Sequence, residues 1–310
     1  MSDAKTKSTQ PVVQTTGHAW DGDIQEFNNP IPTWWIWSFY ASVVFAIVYW
    51  VFYPAWPIGD SYTKGVMNNI TFIDSNGEEK TMHWNTRALF LREMQQSDEA
   101  LLTKDWTKKV SSASYQQILN SPEMLEYSRS AAIGLFGDNC AACHGHGATG
   151  KIGLFPNLAD DDWLWGGSVE DIETTLKDGR LGYMPAFKGA LNKQQIDDVA
   201  NFVLSLSGHV VDAGAIKRGQ AVFQGKEGGC YYCHNAQGSG LKSQGAANLT
   251  DAIWTVADVN AQSDIEKKKQ AVKWVIDNGV SRRMPAWSGR LSDAQIKLLT
   301  VYIHELGGGQ

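Results

Sequence analysis

The chain offers no basic excess to a polyanion. Its 27 Lys and Arg stand against 33 Asp and Glu, a formal charge of −6, which argues against nucleic acid as a partner. It is also poor in cysteine. Only four occur in 310 residues, and all four fall inside two short words, so none remains for a disulfide framework elsewhere. One stretch, Trp34 to Tyr53, lacks charge altogether. In contrast, Gly (30 residues) and Trp (13 residues) are plentiful. Many loops and heavy aromatic packing suit small domains in which a bound group replaces much of the core.

The uncharged stretch reads WWIWSFYASVVFAIVYWVFY, 20 residues, the length a helix needs to cross about 30 Å of hydrocarbon. Pro32 precedes it and Pro54 and Pro57 follow, so breakers bracket it. Trp34, Trp35 and Trp37 sit at one end, and Tyr49, Trp50, Tyr53 and Trp56 at the other. That is an aromatic belt at two interfaces. A cleaved signal peptide fits poorly, because the run starts past residue 30 with no basic segment abutting it. A buried core helix is the weaker alternative, given apolarity on every face. Lys5 and Lys7 against Asp3, Asp21, Asp23 and Glu26 leave the positive-inside rule nearly silent on orientation.

The two cysteine words are Cys140-Ala141-Ala142-Cys143-His144 and Cys230-Tyr231-Tyr232-Cys233-His234. Cys-x-x-Cys-His is the attachment signature of c-type haem. The thiols form thioethers to the haem vinyl groups, and the adjacent His is held within reach of iron. Two disulfides would leave both histidines without a purpose. The expectation is therefore two covalently bound haem c groups and electron transfer as the function. Haem is attached to c-type cytochromes, as a class, on the outer side of the bacterial inner membrane. Residues after about 57 are then periplasmic and the short tail cytoplasmic.

The chain divides into a tail (1–32), an anchor (33–57), a periplasmic spacer (58–120) and an imperfect internal repeat read as two tandem cytochrome c-like domains, 121–208 and 212–310. The expected fold class is all-α. In the spacer, Asn69 to Ile73 and Lys80 to Trp84 flank Asn76-Gly77, a hairpin with a primed turn, and Asn85 to Leu102 reads as one helix. In the first copy Ser121-Pro122 opens a helix, Ser168 caps another that ends at Gly179, and Asn192 with Gln195 forms a capping box. Asp212 starts the second copy, Gly279 answers Gly179, and Ser292 with Gln295 repeats the box. From Gly179 to Leu206 the copies run at an offset of 100 residues, against 90 at the haem words.

An iron that only passes electrons needs two axial ligands. His144 and His234 supply one each. A thioether as the second raises the potential relative to two imidazoles. Met184-Pro185-Ala186-Phe187 and Met284-Pro285-Ala286-Trp287 repeat in equivalent, Gly-rich loops, which singles out Met184 and Met284. Met67, Met82, Met94 and Met124 read as gap-fillers. The pairing stays open. Each Met can serve the haem of its own domain, or Met184 the second haem and Met284 the first. His18, His83, His146, His209 and His304 are poorer candidates. A carbonyl near Pro156 is the expected acceptor for the His144 ring. The second copy has Ala247 there, so the two acceptors are expected to differ. Trp163, Trp165 and Trp254 read equally as haem-packing residues or as ordinary aromatic core. Six-coordinate haems leave no open position for oxygen or peroxide, which argues against a catalytic haem in this chain.

The tail narrows the reading. Gly17-His18-Ala19-Trp20-Asp21-Gly22-Asp23-Ile24-Gln25-Glu26, then Asn29-Pro30-Ile31-Pro32-Thr33-Trp34-Trp35, resembles the N-terminal signature of the CcoP-type dihaem subunit (subunit III) of cbb3-type cytochrome c oxidases. Phe155-Pro156-Asn157-Leu158-Ala159-Asp160-Asp161-Asp162-Trp163-Leu164-Trp165-Gly166-Gly167 resembles it too. The likeness covers 17–57 and about 121–306. The chain departs from the family in 60–110, where its hairpin is longer. The resemblance implies a relay from an electron-donor cytochrome c or membrane donor to a haem–copper catalytic subunit that reduces oxygen to water, with a monohaem cytochrome c subunit alongside. It also implies His144, Met184, His234 and Met284 as iron ligands. The alternative is a free-standing anchored dihaem carrier, for which the specific approach to the anchor has no evident use.

Overall fold

A computed structural model of the chain describes residues 14–66 and 69–307. Asp3, Lys5, Lys7 and Met67 lie outside the described residues. The chain forms two compact units, 1–101 and 102–310.

In the first unit, strands β1 (Thr15–Trp20) and β2 (Ile24–Phe27) pair antiparallel in the tail. Helix α1 spans Thr33–Phe52 between Pro32 and an extended Tyr53, and none of its side chains is buried. It is long and apolar enough to cross a membrane. A two-residue ladder of β3 (Pro57–Ile58) with β4 (Ser61–Tyr62) follows. The expected hairpin is β5 (Ile70–Ile73) with β6 (Glu79–Met82), in register from Ile70 opposite Met82 to Ile73 opposite Glu79. Its turn is not the primed one that Asn76-Gly77 predicts. Only Gly77 has positive φ, at 83°, whereas a type I′ turn needs it at both central residues. Asp74 rebuilds the tip instead, its carboxylate accepting from the amides of Asn76 (2.8 Å) and Glu78 (3.1 Å). Ile70 and Phe72 bury against Ala88 of α2 (Thr86–Gln96). The expected single helix over 85–102 is broken at Ser97. Ser97 is extended, and its hydroxyl accepts from the Ala100 amide at 3.2 Å, so a new helix, α3 (Asp98–Ser112), begins there.

The second unit continues with α4 (Tyr115–Leu119), α5 (Pro122–Asn139), α6 (Ala141–His144), α7 (Val169–Asp178), β7 (Arg180–Met184), α8 (Lys193–Leu206), α9 (Ala213–Gln224), α10 (Tyr231–His234), α11 (Ile265–Asn278), β8 (Val280–Met284) and α12 (Asp293–Leu306). The caps fall where the sequence places them. Ser121, Ser168, Asn192, Asp212 and Ser292 each accept an amide of the first turn, and Asn192 and Ser292 form full capping boxes. Gly179 and Gly279 terminate α7 and α11 at φ of 71° and 68°. The all-α expectation is too narrow: short two-stranded sheets occur in both units.

The packing departs from the linear division of the repeat. One core gathers Phe136 of α5, Leu176 of α7, and Ile296, Leu299 and Ile303 of α12. The other gathers Phe223 of α9, Ile276 of α11, and Val199, Phe202 and Leu204 of α8. The two copies have exchanged their last helices. Val110 of α3 and Ile118 of α4 are also buried in the first core, so that core starts upstream of 121, inside the expected spacer. The crossing point is the antiparallel pair β7–β8, with Arg180 opposite Met284, Gly182 opposite Arg282 and Met184 opposite Val280. It is locked reciprocally. The Trp287 amide donates to the Leu176 carbonyl and the Phe187 amide to that of Ile276, each at 2.9 Å. A Cβ on Gly179 would strike the Met284 carbonyl, and one on Gly279 that of Met184. Arg129 of α5 pairs with Glu305 of α12 at 2.8 Å, and Lys273 of α11 with Asp197 of α8 at 2.8 Å.

Candidate haem site

Both cysteine words fold as one short helical turn, α6 and α10, entered from a helix that buries an aromatic, Phe136 or Phe223. The turns stop because the next residue takes positive φ: 76° at Gly145 and 53° at Asn235. None of the four thiols is in a disulfide. Burial, with Cys143 beside it, pushes the Cys140 thiol up to about 11. Burial likewise pushes Cys230 up to about 11. Such thiols are poor thiolates and weak nucleophiles.

The two imidazoles are set alike. His144 Nδ1 lies 3.1 Å from the Pro156 carbonyl oxygen, and His234 Nδ1 lies 2.9 Å from that of Ala247. Burial lowers both pKa values, against the opposing pull of these bonds, so both rings are neutral. A carbonyl only accepts, so Nδ1 carries the proton and Nε2 keeps its lone pair for a metal. The expected difference between the two acceptors does not arise, because a backbone carbonyl does the work and Pro and Ala offer the same one. Gly150 and Gly240 hold these carbonyls close. Their amides donate to the His144 and His234 carbonyls at 2.8 and 3.0 Å, and a Cβ would strike the Pro156 oxygen at Gly150 or the Ala246 oxygen at Gly240. Gly150→Ala is therefore expected to displace the His144 acceptor and broaden the optical band of the first haem, while Gly147→Ala, which meets only the Thr149 methyl at 3.8 Å, leaves it unchanged.

A single cavity of about 590 Å³ is lined by all eight residues singled out in the sequence: Cys140, Cys143, His144, Met184, Cys230, Cys233, His234 and Met284. None of the other histidines lines it; His83 bonds Tyr62 and His304 lies against Glu305. Met184 and Met284 are on strands, not in the expected loops. The strands were not legible because each pairs with a partner 100 residues away. Met284 packs on the core that holds Cys140, and Met184 on the core that Cys230 packs against. Of the two pairings the sequence leaves open, this packing favours the exchange.

The residues present fit a haem. Asp162 Oδ2, Trp163 Nε1 and Trp254 Nε1 are buried with no hydrogen-bond partner, and all three residues line this cavity. Orphaned buried polar atoms are costly. Two indole N–H donors, one in each copy, await an acceptor such as a propionate. Burial first, then Asp251 and Asp160, push the Asp162 carboxyl up to about 7, so it can also donate. Sequence reasoning missed Arg180, Arg282 and Arg283, which also line the cavity; they lie in strands with no local signal.

Two family descriptions match the chain. The N-terminal domain of cytochrome oxidase-cbb3, FixP, matches residues 12–60, and cytochrome c oxidase, cbb3-type, subunit III, matches 131–203 and 214–303. The chain belongs to the cbb3-type cytochrome c oxidase subunit III family. The cbb3-type subunit FixP of Azorhizobium caulinodans is 41% identical over 96% of this chain and 94% of its own length. The CcoP subunit of Cereibacter sphaeroides is 37% identical over the full length of both, and the FixP subunit of a Bradyrhizobium strain 42% identical over 96% and 95%. Membership makes this a c-type cytochrome, an electron-transfer subunit that carries haem c and an N-terminal apolar helix. The match across 12–60 also gives the tail and anchor a place in the family.

Proposed function

We propose that the chain is the membrane-anchored dihaem relay of a cbb3-type oxidase, passing electrons from a donor cytochrome c or a membrane donor toward a haem–copper subunit that reduces oxygen to water. The observation that carries this reading is the one cavity into which both haem words and both repeated methionines converge. Haem c, when bound, supplies one-electron exchange at iron. Cys140 and Cys143 would tether the first haem, and Cys230 and Cys233 the second. His144 and Met284 would close the first iron, and His234 and Met184 the second.

The chain's own groups do the rest. Pro156 and Ala247 carbonyls orient the two neutral imidazoles. The thioethers favour the ferrous state. Phe136, Leu176, Phe223 and Ile276 wall the cavity with apolar surface and exclude water. Helix α1 would span the inner membrane once, with the tail cytoplasmic and the haem units periplasmic. On the tail hairpin Trp20, Ile24 and Phe27 remain 52%, 59% and 65% exposed. A free-standing carrier has no use for that apolar surface, whereas a subunit covers it. The other oxidase subunits, the haem–copper chain and a monohaem cytochrome c chain, are the proposed partners.

Gentle detergent purification tests this. Haem b and copper should copurify with oxygen-consuming activity, and the mass of this chain should exceed its sequence by two haems. A pure dihaem chain without haem b or copper supports the free-standing carrier instead; a chain without covalent haem removes both readings.

A further inference from the structure

Three arginines of the β7–β8 pair, Arg180, Arg282 and Arg283, line the cavity, and of these Arg180 and Arg282 are half-buried. Exposure alternates along β8: Ser281 and Arg283 face out, while Arg282 and Met284 are half-buried. Arg180 is engaged within its surroundings. It stacks over Trp165 with Cζ 5.0 Å from the ring centroid, and its Nε donates to Thr175 Oγ1 at 2.8 Å. Arg282 has far less. Nη2 donates to the Thr255 carbonyl at 3.0 Å, and among the described residues no carboxylate comes within ion-pair distance. A half-buried cation with a neutral acceptor and no counter-ion is costly. Thr255 follows Trp254, whose buried indole N–H also lacks a partner, and Trp254 packs on the second core. A cation without a counter-ion and a neutral donor without an acceptor therefore both line the cavity, joined through the Trp254-Thr255 step.

The repeat is broken here. At the offset of 100 residues the counterpart of Arg282 is Gly182, which sits opposite it in the ladder. The first copy offers no such charge at that position.

Resting on the two-haem reading above, we propose that Arg282 is a positioning residue for the second haem, the cationic partner of its propionate carboxylates, and that it sets the second iron's potential above the value it would otherwise have. A guanidinium matches a carboxylate in two parallel hydrogen bonds. A fixed positive charge beside a haem disfavours the extra positive charge of the ferric state. The two otherwise similar sites are thereby made unequal, and an electron has a direction between them.

The test is a potentiometric titration of the full-length chain in detergent, with the second haem identified as the optical component lost in a Cys230→Ala/Cys233→Ala variant. Arg282→Gln should shift the ferrous/ferric ratio of that haem about tenfold toward ferric, equivalent to about 59 mV for one electron, and move the first haem less than twofold. Arg282→Lys keeps the charge and should retain most of the wild-type potential, a recovery that a packing role would not give. Unchanged midpoints in Arg282→Gln with both haems attached, an equal fall in both haems, or Arg282→Lys falling as far as Arg282→Gln would each overturn the assignment. Should Arg282→Gln fail to mature, the Arg282→Lys midpoint decides alone. A wild-type chain whose mass shows fewer than two haems refutes the underlying reading, not the role of Arg282.

Discussion

Met184→Ala is expected to uncover the iron tethered by Cys230 and Cys233, leaving the haem of its own sequence copy intact. Met284→Ala should do the reverse. Met184 packs with Phe187 on the core formed by α8, α9 and α11, where Cys230 and Tyr231 also pack, and Met284 with Trp287 on the core that contains Cys140. Both methionines end strands that cross, and a strand's direction fixes which core its last residue reaches. Gly179 and Gly279 permit the crossing, because each lies against the other copy's Met carbonyl with no room for a Cβ. The effect should be large. Loss of a thioether leaves a five-coordinate, high-spin haem and lowers the potential on the order of 100 mV, within the roughly 0.8 V that axial ligands span. Single-haem chains make the measurement clean. In a Cys140→Ala/Cys143→Ala background, Met184→Ala should abolish the far-red sulfur-to-iron band and Met284→Ala should leave it. The opposite result would restore pairing within each copy and sink the exchange.

What the sequence makes legible is local. The anchor, the caps at Ser121, Ser168, Asn192 and Ser292, and the two haem words each depend on residues within one or two turns, and their physical signals are strong. The apolar stripes of α8 and α12 are local in the same sense: Ile196, Val199 and Phe202 recur at helical spacing, and so do Ile296, Leu299 and Ile303. What they pack against is not. A stripe states that one face is buried and is silent on the partner, and the two stripes are near copies, so each would suit either core. The strands failed for a related reason. Arg180 to Met184 and Val280 to Met284 show no apolar alternation, and their stability comes from each other across 100 residues of chain. The break at Ser97 was missed because a serine inside a polar helical stretch reads as tolerated; here its hydroxyl caps the following helix. At the site, the candidate iron ligands stand out by repetition, whereas Arg282 is hidden by the absence of a counterpart.

Leu299→Ala is the second large effect, and it separates exchange of the helices from exchange of the ligands. Leu299 lies on the last helix of the chain and is fully buried among Phe136, Leu176 and Val110 in the core around Cys140. Truncating a buried Leu removes its transfer free energy and leaves a cavity that neighbours fill only in part, at about 2–5 kcal/mol. α7 runs directly into the crossing strand and cannot collapse into that space without disturbing the Trp287–Leu176 bond. Denaturant titration of the single-haem chains, followed by visible absorption, should therefore show the haem on Cys140 and Cys143 released at lower denaturant, although the substitution lies far nearer in sequence to the other haem. Leu204→Ala on α8, also fully buried, should mirror this on the haem of Cys230 and Cys233. If Leu299→Ala instead loosened the second haem and spared the first, α12 would belong to its own copy, and the crossing strands would have to be a local adornment on two independent domains. Should each variant loosen both haems equally, the two cores would unfold as one cooperative unit, and the shared β7–β8 pair would be the element that couples them.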